Sequence, residues 1–183
     1  MGSGAAGTWS AASNLGSTMT PGAGFLVYVF ADNDYDGTDD LPKTLSVSGS
    51  ENNGNVTYPA TGSIDANQYG LSGNPYYTTI DWDDVTKTNV EGTVYVYNDA
   101  KSGGAGYINW NGSSGDLTNG LIAPFQGFWV QATSSGSGSI QIQTADKATS
   151  AGTFYRMLDT EEEGSMYFLT NLVPTTMVSR LKV

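Results

Sequence analysis

Thr93-Val94-Tyr95-Val96-Tyr97 alternates, residue by residue, between β-branched aliphatic and aromatic side chains, both favoured in strands. A period of two places Val94 and Val96 on one face and Tyr95 and Tyr97 on the other, which suits a half-buried strand and no helix. Similar runs recur outward along the chain. They are Gly-Phe-Leu-Val-Tyr-Val-Phe (24–30), Thr-Leu-Ser-Val-Ser (44–48), Gly-Phe-Trp-Val-Gln-Ala (127–132) and Ser-Ile-Gln-Ile-Gln (139–143). Ser-Met-Tyr-Phe-Leu-Thr (165–170) and 176–183 read the same way. Asn53-Gly54, Asn111-Gly112 and Asn119-Gly120 mark tight turns between them. Many short strands, 24 glycines and no helical periodicity predict an all-β fold, an antiparallel β-sandwich of jelly-roll type.

The strands are organised by an internal repeat. Met19-Thr20-Pro21-Gly22-Ala23-Gly24-Phe25-Leu26-Val27 parallels Ile122-Ala123-Pro124-Phe125-Gln126-Gly127-Phe128-Trp129-Val130, with Pro, Gly, Phe and Val in register. Trp9 and Trp110 precede the two copies at similar distances. The expected organisation is a flexible leader (1–8) and a β-sandwich (9–158). Within it, pseudo-repeats at about 9–49 and 93–145 are joined by 50–92, as one sandwich or as two packed β units. Residues 159–183 read as further strands, or as the start of another domain. The first copy lacks a counterpart of Thr93–Tyr97, so the chain reads as part of a larger polypeptide whose bare strand edge a neighbouring segment covers.

Composition narrows the chemistry. The chain has 183 residues, 38% hydrophobic, enough to bury a real core. It has no cysteine and no histidine, which removes disulfides, the usual zinc ligands and the side chain most used for proton transfer near neutral pH. A net charge of −11 disfavours nucleic acid and anionic membrane surfaces, which need clustered Lys and Arg. No apolar run approaches the ~20 residues that span a bilayer, so membrane insertion is not expected. No signal-peptide pattern opens the chain, so an export signal is expected outside it.

Tyr69-Gly70-Leu71-Ser72-Gly73-Asn74-Pro75-Tyr76-Tyr77-Thr78-Thr79-Ile80-Asp81-Trp82-Asp83 resembles the W-x-L-x-GNPY-x-x-x-IDWD block of large surface proteins of Bacteroidetes and related phyla, which usually end in a type IX secretion sorting domain. Pro21–Phe25 looks like their pGrGY strand, Leu121–Val130 like IaPgQgFfV, and Phe154-Tyr155-Arg156 like the ffR that follows. The resemblance covers roughly residues 9–170. Phe125 stands where the family's second Pro loop usually has Gly, and Tyr69-Gly70 where it has Gly-Trp. The resemblance implies an extracellular or cell-surface β-rich module whose partners are neighbouring domains or subunits of the same surface assembly. It supplies no catalytic residues.

Three groups of residues are candidates for chemistry. Asp32-Asn33-Asp34-Tyr35-Asp36-Gly37-Thr38-Asp39-Asp40 places carboxylates at positions 1, 3, 5 and 9 around a glycine at 6, with the Thr38 carbonyl at 7. That is calcium-loop spacing, and Asp32, Asp34, Asp36, Thr38 and Asp40 are the expected ligands of a structural calcium ion. Lys43 stands at position 12 in place of the bidentate Glu, and no helices flank the loop. The site is therefore no EF-hand and suits millimolar calcium. The bland alternative is an acidic hairpin loop.

Asp81 and Asp83 read as turn caps rather than a glycosidase pair, because such pairs face each other ~5–10 Å apart across a cleft. No catalytic residue is assigned, and no enzymatic activity is expected. Finally, Tyr76, Tyr77, Trp82, Tyr95, Tyr97, Tyr107 and Trp110 crowd residues 76–110; Tyr95, Tyr97 and Trp110 are the candidate stacking residues for a polysaccharide, with core packing as the default reading.

Overall fold

The structure is a computed structural model that describes residues 18–29, 35–38, 44–45, 50, 52–155, 165–170 and 181–182. Side chains are described for 18–27, 35–38, 50 and 52–155. The strands in chain order are β1 (Gly24–Val29), β2 (Thr44–Leu45), β3 (Val56–Tyr58), β4 (Tyr69–Gly73), β5 (Ile80–Asp81), β6 (Thr86–Thr88), β7 (Val90–Asn98), β8 (Gly106–Trp110), β9 (Leu121–Ile122), β10 (Gly127–Ala132), β11 (Ser139–Ile142), β12 (Ser165–Thr170) and β13 (Leu181–Lys182). No α-helix lies among the described residues, and none there is long and apolar enough to cross a membrane.

The fold is an antiparallel β-sandwich. One sheet has the order β4-β10-β7-β8 and the other β3-β11-β6. The two are joined by ribbons that bend from sheet to sheet. β10 continues through a turn at Thr133–Gly138 into β11, with Gly136 N–H donating to the Thr133 carbonyl. β6 passes into β7 across Asn89, whose φ of 49° turns the chain. On the other flank β3 leads to β4, and Ile64 bridges to Gly138 at the corner. Strands that switch sheets at bends are a known way to close a sandwich corner.

Period-two alternation then fills the space between the sheets. Val94 and Val96 of β7, Phe128 and Val130 of β10, Ile108 of β8 and Ile140 and Ile142 of β11 all point inward and are buried. Ile80 of β5 and Ile122 of β9, which pair with each other, join the same cluster with Tyr76, Trp82 and Leu117 from connecting segments. Trp82 is fully buried and meets Phe128 edge to face at 5.9 Å.

An edge of the smaller sheet carries an inward lysine. Lys87 of β6 pairs with Ile140 and so faces the interior. Its Nζ donates to the carbonyls of Trp82 and Val85 at 2.6 and 2.9 Å and lies 4.2 Å over the Trp82 ring. Half-burial lowers its pKa, and the surrounding aspartates Asp83, Asp146, Asp81 and Asp84 oppose that shift. A charge aimed inward on an edge strand discourages pairing with a foreign strand.

The two Pro segments of the repeat have the same local form. In Thr20-Pro21-Gly22-Ala23 and Ala123-Pro124-Phe125-Gln126 the fourth N–H donates to the first carbonyl, at 3.1 and 3.2 Å. The third residue is left-handed in both, Gly22 at φ 79° and Phe125 at φ 60°. This is type II turn geometry, with Pro at the second position. Gly is needed at 22 for a further reason: a Cβ there would sit 2.6 Å from Val56 Cγ1. β1 then runs antiparallel to β12, and β2 to β13, so strands from the two ends of the chain pair with each other.

Candidate functional site

The Tyr69–Asp83 and Leu121–Val130 blocks converge on one hydrogen-bonded clamp between the two Pro turns. Gly73 N–H donates to the Gly22 carbonyl at 3.0 Å and Asn74 N–H to the Gln126 carbonyl at 3.1 Å, so β4 ends with one turn on each side. Ser72, fully buried, donates its hydroxyl to the Gly22 carbonyl at 2.8 Å. The Asn74 side chain is also fully buried. Its amide donates to the carbonyls of Thr78 (2.8 Å), Ala123 (3.0 Å) and Ile122 (3.1 Å), while its oxygen accepts Tyr76 N–H at 3.0 Å. Gln126 donates to the Gly127 carbonyl and accepts Tyr155 N–H at 2.7 Å, which ties the Phe154-Tyr155 segment to the second turn.

The aspartates of the block have local partners as well. Asp81 Oδ1 accepts Asp83 N–H at 3.0 Å, the capped turn expected from the sequence. The Asp83 carboxylate accepts the Trp110 indole N–H at 3.0 and 3.2 Å. Trp82 donates its indole N–H to the Gly92 carbonyl at 2.6 Å. Tyr76 donates its hydroxyl to the carbonyls of Gly54 and Ile142 at 2.9 and 3.2 Å. Burial, reinforced by the charge of Asp146, pushes the Tyr76 phenol up to about 12. Asp146 is itself buried, which raises its carboxyl, and a hydrogen bond from Gln143 N–H at 2.8 Å opposes that shift. These polar groups hold the backbone of their own fold.

The outer face of the four-stranded sheet has a different character. The strand parity that sends Val94 and Val96 inward sends Tyr95 and Tyr97 outward, and neighbouring strands add Tyr69, Trp129 and Tyr107 to the same side. Trp129 pairs with Tyr95 and Gln131 with Tyr69, while Tyr95 pairs with Asn109 and Tyr97 with Tyr107. Tyr69, Tyr95, Tyr107 and Trp129 line a cavity of about 450 Å³, within the ~300–1,000 Å³ range of small-molecule sites. Tyr69 and Tyr95 meet edge to face at 6.0 Å, and Tyr97 and Tyr107 at 5.3 Å. Tyr69 and Tyr107 remain nearly half exposed, at 45% and 46%. Desolvation raises the phenol of Tyr95, with Tyr69 and Glu91 adding to it. Desolvation also raises Tyr107, where Tyr97 adds and the neighbouring Trp129 indole opposes. These phenols are neutral at physiological pH.

Of the stacking residues expected from sequence, Tyr95 lines this cavity and Tyr97 stands beside it on the same face. Trp110 does not join them. It pairs with Val94 on the opposite face, packs against the core and bonds Asp83. Tyr107 belongs to the dense 76–110 aromatic group legible in the sequence, whereas Tyr69 and Trp129 lie outside it. The parity of their own strands carries a signal: Tyr107 alternates with the inward Ile108, and Trp129 lies between the inward Phe128 and Val130. That they share a face with Tyr95 depends on inter-strand register, which no single strand encodes.

Of the acidic loop, Asp32, Asp34 and Asp40 lie outside the described residues. Asp36 and Thr38 are exposed, Thr38 N–H donates to Asp36 Oδ1 at 2.7 Å, and Gly37 is left-handed at φ 83°, as a tight turn requires. Among the described residues no three acidic groups converge on one point. Comparison with protein-family models, curated proteins and solved structures returned no match.

Proposed function

We propose that the chain is a non-catalytic adhesive β-sandwich module of a larger extracellular or cell-surface protein, with calcium stabilising the 32–40 loop. The observation that supports this reading is a division between two surfaces. The polar residues of the Tyr69–Asp83 and Leu121–Val130 blocks are engaged in backbone bonds within the scaffold, while among the described residues an aromatic face stays partly exposed on one sheet. The family resemblance points to the same class. A carbohydrate-binding module of a polysaccharide-degrading enzyme is a second reading, favoured by the aromatic groove. It differs in the parent protein rather than in the face used.

The test combines adhesion with turnover. The purified chain is assayed for self-association by sedimentation, for retention on polysaccharide and fixed-cell surfaces, and for release of reducing sugar. Retention or self-association without sugar release is expected. Sugar release that Asp83→Asn abolishes would refute the non-catalytic reading.

A further inference from the structure

We infer that the groove lined by Tyr69, Tyr95, Tyr107 and Trp129 is a binding site for a neutral glycan chain, which lays pyranose rings on the aromatic faces and bonds its hydroxyls to the phenols and flanking amides. This rests on the reading of the chain as a binding module and names its ligand class.

Four features point to that ligand. The first is chemical pairing: the groove alternates apolar ring surface with phenol hydroxyls, and Asn109 and Gln131 stand on the same face in register with Tyr95 and Tyr69. A pyranose presents the complementary set, a C–H face flanked by hydroxyls, and each phenol or amide both donates and accepts hydrogen bonds. The second is preorganisation. The four rings stand on four different strands of one sheet. Tyr69 is held edge to face by Tyr95, and Tyr107 by Tyr97. Rings fixed before binding lose little entropy when a ligand arrives.

The third is charge. None of the four lining side chains is charged at neutral pH. Glu91 acts on Tyr95 from nearby, while Lys101 is engaged by the Tyr107 carbonyl at 2.7 Å. With a chain charge of −11, sulfated or uronate polymers meet repulsion and neutral ones do not. The fourth is size, since about 450 Å³ takes a short run of sugars.

The experiment is affinity electrophoresis of the whole chain in gels containing hydroxyethylcellulose, xylan, laminarin or mannan, with alginate and a sulfated galactan as anionic comparators. Each gel is run with calcium and with EDTA. Trp fluorescence is titrated in parallel. At least one neutral polymer should retard the chain with or without calcium, and Tyr107→Ala should weaken that binding about tenfold. Tyr77→Ala removes an exposed ring outside the groove and should leave binding unchanged. Melting curves confirm that each variant folds. If Tyr107→Ala misfolds, Asn109→Ala takes its place.

Binding by the anionic polymers alone overturns the proposal, as does equal loss in the Tyr77 and Tyr107 variants. A dimer that Tyr107→Ala dissociates, with no glycan held, assigns the face to a second copy. That outcome overturns the glycan and leaves the module reading standing. Neither self-association nor retention on any surface would overturn both.

Discussion

Replacing Asn74 with alanine tests whether the GNPY block is a structural clamp. The buried Asn74 amide supplies two protons shared among the carbonyls of Thr78, Ala123 and Ile122, and its oxygen accepts Tyr76 N–H. Alanine leaves those groups without a partner in a site that excludes water. With roughly 1–1.5 kcal/mol for each of three bonds, the loss is about 3–4.5 kcal/mol. For a chain of this length each kcal/mol shifts the melting temperature by about 2–4 °C, so a fall of about 6–18 °C is expected. Urea unfolding followed by tryptophan fluorescence reports it, because Trp82 is fully buried. Asn111→Ala is the control. Asn111 accepts the N–H groups of Ser113 and Ser114 at 3.0 and 2.8 Å, but in an exposed turn where water replaces the side chain. That variant should lose less than about 1 kcal/mol. If Asn74→Ala unfolds at the same urea concentration as Asn111→Ala, with unchanged m-value, the clamp argument is wrong.

Gly22→Ala should destabilise by about 2–4 kcal/mol, because it combines a left-handed backbone with a methyl 2.6 Å from Val56; a urea midpoint within experimental error of the parent would contradict this. The raised Tyr76 phenol gives a pH signature. Its neutral form is bound more tightly by the folded state, so the stabilisation is complete below pH 10 and is lost as pH rises towards about 12. Tyr76→Phe is less stable at neutral pH, and the gap in urea midpoint should narrow across that window; a constant gap would mean the phenol titrates normally. Calcium at about ten times its dissociation constant should raise the melting temperature by about 3–6 °C, and Asp36→Asn should reduce the effect. A melt unchanged across a wide calcium range would remove the ion from the account.

Much of the architecture is legible from local chemistry. The alternation in 93–97 specified which side of β7 is buried, and Val94 and Val96 are buried as that alternation requires. The paired Pro turns were legible as a sequence repeat and share one hydrogen-bond and dihedral pattern, even though Phe125 replaces the glycine of the first copy. Asn111-Gly112 forms its turn. Asn53-Gly54 does not: Gly54 has no left-handed φ, and the segment instead presents the Gly54 carbonyl to Tyr76. There a tertiary bond outweighed a local preference.

The binding face was only partly legible. Tyr95 and Tyr97 follow from alternation within one strand. Trp110 looked equivalent by composition, yet its place opposite Val94 turns it inward to Asp83. Tyr69 lies 26 residues before Tyr95 and Trp129 34 after it, and they meet only because β4, β10 and β7 lie side by side in one register. The sequence by itself therefore determined strand parity, turn positions and the exclusions that follow from lacking cysteine and histidine, because these depend on short-range sterics and side-chain type. The tertiary structure alone decided which aromatic rings share a surface and that Asn74 sits among the two Pro turns. Those depend on which strands lie adjacent and in what register, a choice made by burying one common core.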